Sequence, residues 1–369
     1  MIKHAQIQMS FSQPYVSKRS SKNAFLKQIN EVIDWESIVK ILQKHYPKGL
    51  RPDGRPAYNP IILFKMLLLG VWYKSLSDRD IEDRTNTDLS WMTFVGLSLE
   101  DEVPDHSTLC RFRNELAGSN AYDLLLQELN QQLDKHAITV KSGCIIDASI
   151  TDSPRKPTGK PTYEIAEDRK ENEQTEEAIQ TQTAELKLVK VNQPGVDDEA
   201  RWLKKGKETR FGYKKHVITD GNGLVLALET TPANVHDHNH FNTLITKAQV
   251  PPKVAIYADK AYKSKAHTTY LKAKGLKDRV CYKAVKNKPL TKLQLKFNQL
   301  CGKHRYKIER TFAGTKSWFG GGTARYVGIA KTHAQHALEA IAYNLYRLPK
   351  LLVNNMLTPK TAPPQMQLF

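Results

Sequence analysis

Gly143-Cys144-Ile145-Ile146-Asp147 and Val254-Ala255-Ile256-Tyr257-Ala258-Asp259 decide the fold, because each is a short apolar run closed by a carboxylate. Such a run reads as a buried strand, and the acid at its end reads as a side chain delivered to the edge of a sheet. A third acid, Glu309, stands in the basic, helical stretch Arg305-Tyr306-Lys307-Ile308-Glu309-Arg310. Two such strands and one helix are able to bring three carboxylates into a single cleft. Their surroundings are cationic: between Pro251 and Lys316, 18 Lys and Arg stand against 3 acids, Asp259, Asp278 and Glu309. Carboxylates kept in so basic a stretch suggest hard metal ions working on a polyanion.

Working outward, 369 residues are enough for two or more domains with real cores. A composition of 40% hydrophobic and 25% charged residues is that of a soluble globular chain. The net charge of +18 is not ordinary, and it predicts attraction to phosphate backbones or anionic surfaces. Membrane insertion is not expected. The most apolar run, Ile61 to Tyr73, is interrupted by Lys65 and falls short of the ~20 residues that span a bilayer. The N-terminus carries no apolar secretory signal. The four cysteines (Cys110, Cys144, Cys281 and Cys301) include no Cys-x-x-Cys pair, so a cytosolic chain with reduced thiols is expected. Cys281, Cys301 and His304 fit no standard zinc spacing.

Residues 1–140 read as mostly helical, a DNA-binding or oligomerisation region. Asn59-Pro60 caps the apolar helix, Ser77-Asp78-Arg79-Asp80 opens a helix to about Arg84, and Pro104-Asp105-His106-Ser107 opens one carrying Arg111 and Arg113. These short helices are either a helix-turn-helix reader of DNA or a plain bundle with solvated arginines. Residues 141–350 read as a mixed α/β domain. Its first strand ends at Asp147, and a polar insertion follows at about 151–205. That insertion includes the tract 164–199, with 11 acids and 4 bases, expected to be partly disordered. Order resumes at Phe211, with a hairpin turn at Asp220-Gly221-Asn222-Gly223. A helix from Thr332 to Leu348 is expected to stop at Pro349, leaving a tail at 351–369.

Two strand-end aspartates and a helical glutamate suit a two-metal phosphoryl-transfer site, in which paired Mg²⁺ ions (or Mn²⁺) activate the attacking oxygen and stabilise the leaving one. Surface or capping acids are the plain alternative. His236, His238 and His240 with Asp237 are a second cluster, read as helix capping and active-site or DNA support, with zinc the minor alternative. Trp318-Phe319 and the glycines 320 to 322 read either as a DNA-contacting loop or as a packed aromatic pair.

Asp259-Lys260-Ala261-Tyr262 resembles the Asp-Lys-Gly-Tyr signature of bacterial insertion-sequence transposases with a DDE site. Arg305, Glu309 and Lys316 match the spacing of that group's Tyr-x2-Arg-x3-Glu-x6-Lys pattern, with Gly302 where it has tyrosine. Ile146-Asp147-Ala148-Ser149 and Ala233-Asn234-Val235-His236-Asp237 are similar to further stretches of the group. Pro104 to Phe112 is similar to the N-terminal region of the branch typified by insertion sequence 5, itself related to the insertion sequence 4 group. The resemblance covers about residues 20 to 348. It implies an RNase H-like catalytic domain with Asp147, Asp259 and Glu309 as catalytic metal ligands. Lys260, Arg305 and Lys316, with Arg111 and Arg113 of the helical region, are then expected to contact DNA. The implied protein binds terminal inverted repeats, cuts at the element's ends and joins the 3′-hydroxyls to target DNA. It acts as a homo-oligomer on DNA in a nucleoid-associated setting. The rivals are an RNase H-like nuclease without strand transfer and a non-catalytic DNA-binding regulator.

Overall fold

The computed structural model describes residues 2–3, 24–48, 57–139, 143–158, 163–167, 186–190, 193–285 and 289–357. Seven helices come first: α1 (Ala24–Val32), α2 (Trp35–His45), α3 (Pro60–Trp72), α4 (Asp78–Thr87), α5 (Leu89–Val95), α6 (His106–Ala117) and α7 (Ala121–Lys135). Their starts follow from the sequence. The Asn59 side chain accepts from the Ile61 N–H ahead of Pro60, and Ser77 with Asp80 closes a capping box. Apolar on every side, α3 is buried nearly throughout.

The second half of the chain holds a mixed sheet. Its strands are β1 (Gly143–Asp152), β2 (Arg201–Lys205), β3 (Glu208–Thr219), β4 (Val225–Pro232), β5 (Ala255–Ala258) and β6 (Lys277–Val280). The order is β6–β5–β1–β3, with β3 also pairing both β4 and β2. β1 runs parallel to β5, and β5 parallel to β6, while β1, β3 and β4 form an antiparallel meander. Three antiparallel strands, the first flanked by two parallel ones, make an RNase H-like sheet. Helices α8 (Phe241–Lys247) and α9 (Lys265–Ala273) join the later strands. Two long helices, α10 (Lys292–Phe319) and α11 (Ile329–Leu357), close the chain.

Each face of the sheet has its own core. Cys144, Ile146, Ile218 and Ile256 pack with α8 and α9. Ile145, Val217, Val225 and Leu228 join Ile308 of α10, much of α11 and the N-terminal helices in one continuous core. Residues 1–140 are therefore a unit in sequence whose core is shared with the end of the chain.

Three expectations change, and one open alternative is decided. β1 does not end at Asp147 but runs on to Asp152, because the polar residues beyond it find partners: the fully buried Thr151 hydrogen-bonds His336 at 2.9 Å. Order resumes before Phe211, since β2 and the start of β3 pair from Arg201 onward. α11 runs through Pro349, which costs one backbone hydrogen bond while Leu345, Leu348 and Leu351 stay in the core. Trp318-Phe319 is a packed aromatic pair: Phe319 is buried and Trp318 packs on Tyr343 and Tyr346. Most of the acidic tract and the tail beyond residue 357 lie outside the described residues. No helix among those described is long and apolar enough to cross a membrane.

Candidate active site

Asp147 sits in the middle of β1, and Asp259 follows the last residue of β5. The parallel register pairs Ile146 with Ala258, so the two aspartates are neighbours across adjacent strands. Alternation puts Asp147 on the same face as Ile145 and Val217, beneath α10. Each carboxylate is fixed by the next backbone N–H: Ala148 donates to Asp147 Oδ1 at 2.8 Å and Lys260 to Asp259 Oδ1 at 2.7 Å.

Arg305 of α10 bridges them, with one guanidinium nitrogen 3.3 Å from Asp147 Oδ2 and the other 3.3 Å from Asp259 Oδ1. Burial pushes the Asp147 carboxyl up, Asp259 adds repulsion, and the Ala148 N–H and Arg305 oppose both. A desolvated Asp147 beside a second carboxylate is stabilised by a cation, and the guanidinium supplies one. The Arg305 Nε is buried with no hydrogen-bond partner, so the bridge leaves part of its own capacity unused.

Position on α10 follows from the sheet's turn. Asp220 Oδ1 accepts from the Asn222 and Leu224 N–H groups, closing the β3–β4 turn. Gly223 there has φ +82°, and a Cβ on it would lie 2.8 Å from Thr311 Oγ1. The missing side chain lets α10 lie directly on the turn, and the Thr311 hydroxyl donates to the Gly223 carbonyl at 2.7 Å.

The remaining sequence-expected residues divide. Glu309, one helical turn beyond Arg305, is exposed, and no three His, Cys, Asp or Glu side chains among the described residues stand close enough together to hold a metal ion. Lys260 is exposed beside Asp259. Lys316 is half-buried further along α10, its ammonium pushed down by burial and by Arg210 and Lys215 nearby. Arg111 is exposed and bonds Ser107 and Thr108. Arg113 faces the other way. It is 7% exposed, paired with Asp78 at 2.6 Å, and its guanidinium lies 4.5 Å from the Tyr326 ring centre. In this arrangement it ties α6 to α4 and has no face for a phosphate.

The histidine cluster is a stacked support. His240 Nδ1 meets Glu229 at 2.6 Å and its ring stacks on His216, while His238 stacks on His267. No side chain caps the short 3₁₀ turn Asp237–His240, so the expected capping is not made. Cys281 and Cys301 are buried with raised thiols, and His304 stacks on Tyr257 instead of joining them.

Three features escaped the sequence reading. The buried Tyr262 hydroxyl has no partner and lies in the field of Asp237, Asp147 and Asp259. Lys214 and Lys215 are both buried and neutralised, by Asp237 at 2.8 Å and Glu339 at 2.9 Å. Adjacent strand residues must face opposite sides, so this lysine pair in an ordered strand signalled that one of them enters the core.

The Asp147–Asp259 pair fits one hard divalent cation, since Mg²⁺ is commonly held by one or two carboxylates plus waters and phosphate oxygens. Arg305 marks where a cation is stabilised.

A family model described as "Transposase DDE domain" matches residues 139–345, and one described as "Transposase domain (DUF772)" matches residues 14–115. The transposase for insertion sequence element IS1106 of Neisseria meningitidis serogroup B is 33% identical over 239 residues, 64% of this chain and 76% of the relative. Among solved structures, a piggyBac transposase synaptic complex with hairpin DNA aligns at TM-score 0.36 and 11% identity, over 90% of this chain and 80% of that one. The Mos1 strand transfer complex aligns at TM-score 0.20 and 10% identity, over 83% and 81%. With TM-scores this low, the fold rests on the strand order and the family match.

Proposed function

From the premise that this chain belongs to the DDE transposases of bacterial insertion sequences, metal-dependent enzymes that move DNA, we propose that it binds the terminal inverted repeats of its element, cuts at their ends and joins them to target DNA. The observation that carries this reading is the pair Asp147 and Asp259, side by side on parallel strands and already sharing one cation.

In the proposed reaction a water oxygen attacks the phosphorus at the element's end and the bond to the 3′ oxygen breaks, leaving a 3′-hydroxyl. That hydroxyl then attacks a target phosphodiester and forms one new P–O bond as another breaks. Asp147 and Asp259 would hold the divalent metal, with Glu309 as the third carboxylate, and two such ions would supply activation of the attacking oxygen and stabilisation of the leaving one. Arg305 steadies the two aspartates before DNA arrives. Lys260 beside Asp259 and Lys316 along α10 meet backbone phosphates, and Arg111 on α6 adds a contact from the helical region. Two ends are processed together, so the active form on DNA is an oligomer, working in the cytoplasm on the nucleoid.

The test is a labelled duplex carrying the DNA that flanks this reading frame, incubated with protein, Mg²⁺ or Mn²⁺ and a target plasmid. Wild type is expected to nick at the repeat ends and yield joined product. Asp259→Asn and Asp147→Asn should each lose on the order of 10³-fold in both steps, the loss of several kcal/mol of charge stabilisation. Cutting without joining would establish a nuclease. Binding without metal-dependent cutting, unchanged by Asp259→Asn, would establish a regulator. Glu309→Ala with unimpaired cutting would remove Glu309 from the site.

A further inference from the structure

β2 and β3 form a hairpin whose register runs from Arg201 opposite Gly212 to Lys205 opposite Glu208. Nothing in the core requires its tip. Apart from Leu203, residues 201–209 are exposed. The stretch 201–210 holds five basic residues and one acid. Arg210 is committed to Asp152, whereas Lys204, Lys205 and Lys207 form no ion pair among the described residues. Trp202 keeps 46% of its surface exposed, resting on Phe211 with ring centres 5.1 Å apart. A basic hairpin that holds an indole at its surface has the makings of a nucleic-acid contact.

A second element reaches the same place. Along β1, Asp147 to Asp152 is a run of about 17 Å. Along α10, Arg305 to Lys316 is about 16 Å. Both tracks leave the paired carboxylates and converge again. The Asp152 N–H donates to the Gly322 carbonyl at 2.9 Å, and a Cβ on Gly322 would lie 3.7 Å from Lys316 Cγ. Lys316 thus stands by the hairpin's root, where Arg210 takes up the Asp152 carboxylate and Lys215 that of Glu339. The burial of Lys316 among these cations, and within reach of Lys205, is an electrostatic cost that an external polyanion relieves.

We propose that the β2–β3 hairpin and Lys316 together form a second DNA grip, which holds duplex phosphates from about five base pairs (at Lys316) to about nine (at the hairpin tip) from the bond cut at Asp147 and Asp259. The near limit is the ~17 Å from Asp147 to Asp152, beside Lys316, and the far limit is the ~31 Å from Val217, opposite Asp147, to Glu208, opposite Lys205, each divided by ~3.4 Å per step along one strand. Lys204, Lys205 and Lys207 neutralise phosphates, and Trp202 packs against the sugar edge beside them. This grip rests on the reading of the chain as a transposase acting on duplex ends.

The test compares full-length Lys204→Ala/Lys205→Ala/Lys207→Ala with an equal charge loss across the sheet, Lys272→Ala/Lys274→Ala/Lys277→Ala. Binding to a labelled duplex end is measured over a salt series. The hairpin variant should bind at least about tenfold more weakly, with a log–log salt slope shallower by about two to three, close to one for each phosphate no longer neutralised. The control should bind nearly as wild type does. Independently of any variant, neutral methylphosphonates placed about five to nine base pairs from the cut should weaken wild-type binding. Equal losses in both triple variants, an unchanged salt slope, or indifference to the methylphosphonates would each overturn the grip. If wild type cuts and joins while the hairpin variant binds normally, the grip alone fails. If the hairpin variant loses binding but wild type never cuts, the grip stands and the transposase chemistry fails.

Discussion

Lys65 lies in the middle of the most apolar helix, 8% exposed, with its ammonium 2.9 Å from Asn30 Oδ1 and 4.4 Å from the Trp35 ring centre. Burial pushes it down to about 8. Its unfolded value is near 10.5, so between these limits the unfolded chain binds the extra proton and stability rises with pH. Relative to Lys65→Met, wild type should therefore gain on the order of 2–3 kcal/mol from pH 8 to above 10.5, less what the Trp35 and Phe94 rings return to the charged form. Denaturant melts of both proteins across that range check it, and parallel curves would refute it. Site residues were unevenly legible at this scale. That Asp147 and Asp259 stand side by side was legible because an apolar run stopping at an acid is a physical pattern. Arg113 was misread, although a signal existed: Arg111 and Arg113 are two apart on a helix and cannot share a face. One of the two had to turn inward, and Asp78 and Tyr326 receive it.

Among elements, β3 and α11 are joined by a charge pair inside the core. Lys215 Nζ bonds Glu339 Oε2 at 2.9 Å, and the two residues are 4% and 1% exposed. Replacing Glu339 with Gln leaves a buried ammonium without its counter-charge and should cost about 3–5 kcal/mol. Thermal unfolding measures it, and a change below about 1 kcal/mol would mean that water reaches the pair. The extent of β1 was not legible for the same reason. Beyond Asp147 the strand turns polar, and only the fold supplies His336 and the other partners that let Thr151 be buried. The end of α11 was illegible too. Pro349 is a local stop signal, overridden because the leucines on either side are held by tertiary packing. Caps and turns were readable from sequence: Asn59, Ser77 and Asp220 act through hydrogen bonds to residues two to four positions away.

At the scale of the whole molecule, two family models meet in one core. The division near residue 140 suggests parts that fold separately, yet α11 packs against α7, α6, α3 and α1 as well as β4. The full chain should accordingly unfold in a single calorimetric transition, with the two probes of helix and sheet coinciding. Two separated transitions would show that the N-terminal helices are self-sufficient. The mixed α/β class was legible in the sequence because its strand signals are local. The shared core was not, because pairing the first helices with the last is a contact across most of the chain.

That shared core has a consequence in time. A chain leaving the ribosome presents α1 to α7 long before α11 exists. At ~5–20 residues per second, the gap between Lys135 and Ile329 lasts roughly 10–40 s. Through that interval the first helices pack on one another while the surface that α11 covers stays open. A message cut short, or a reading frame interrupted late, leaves that surface of the helical region uncovered.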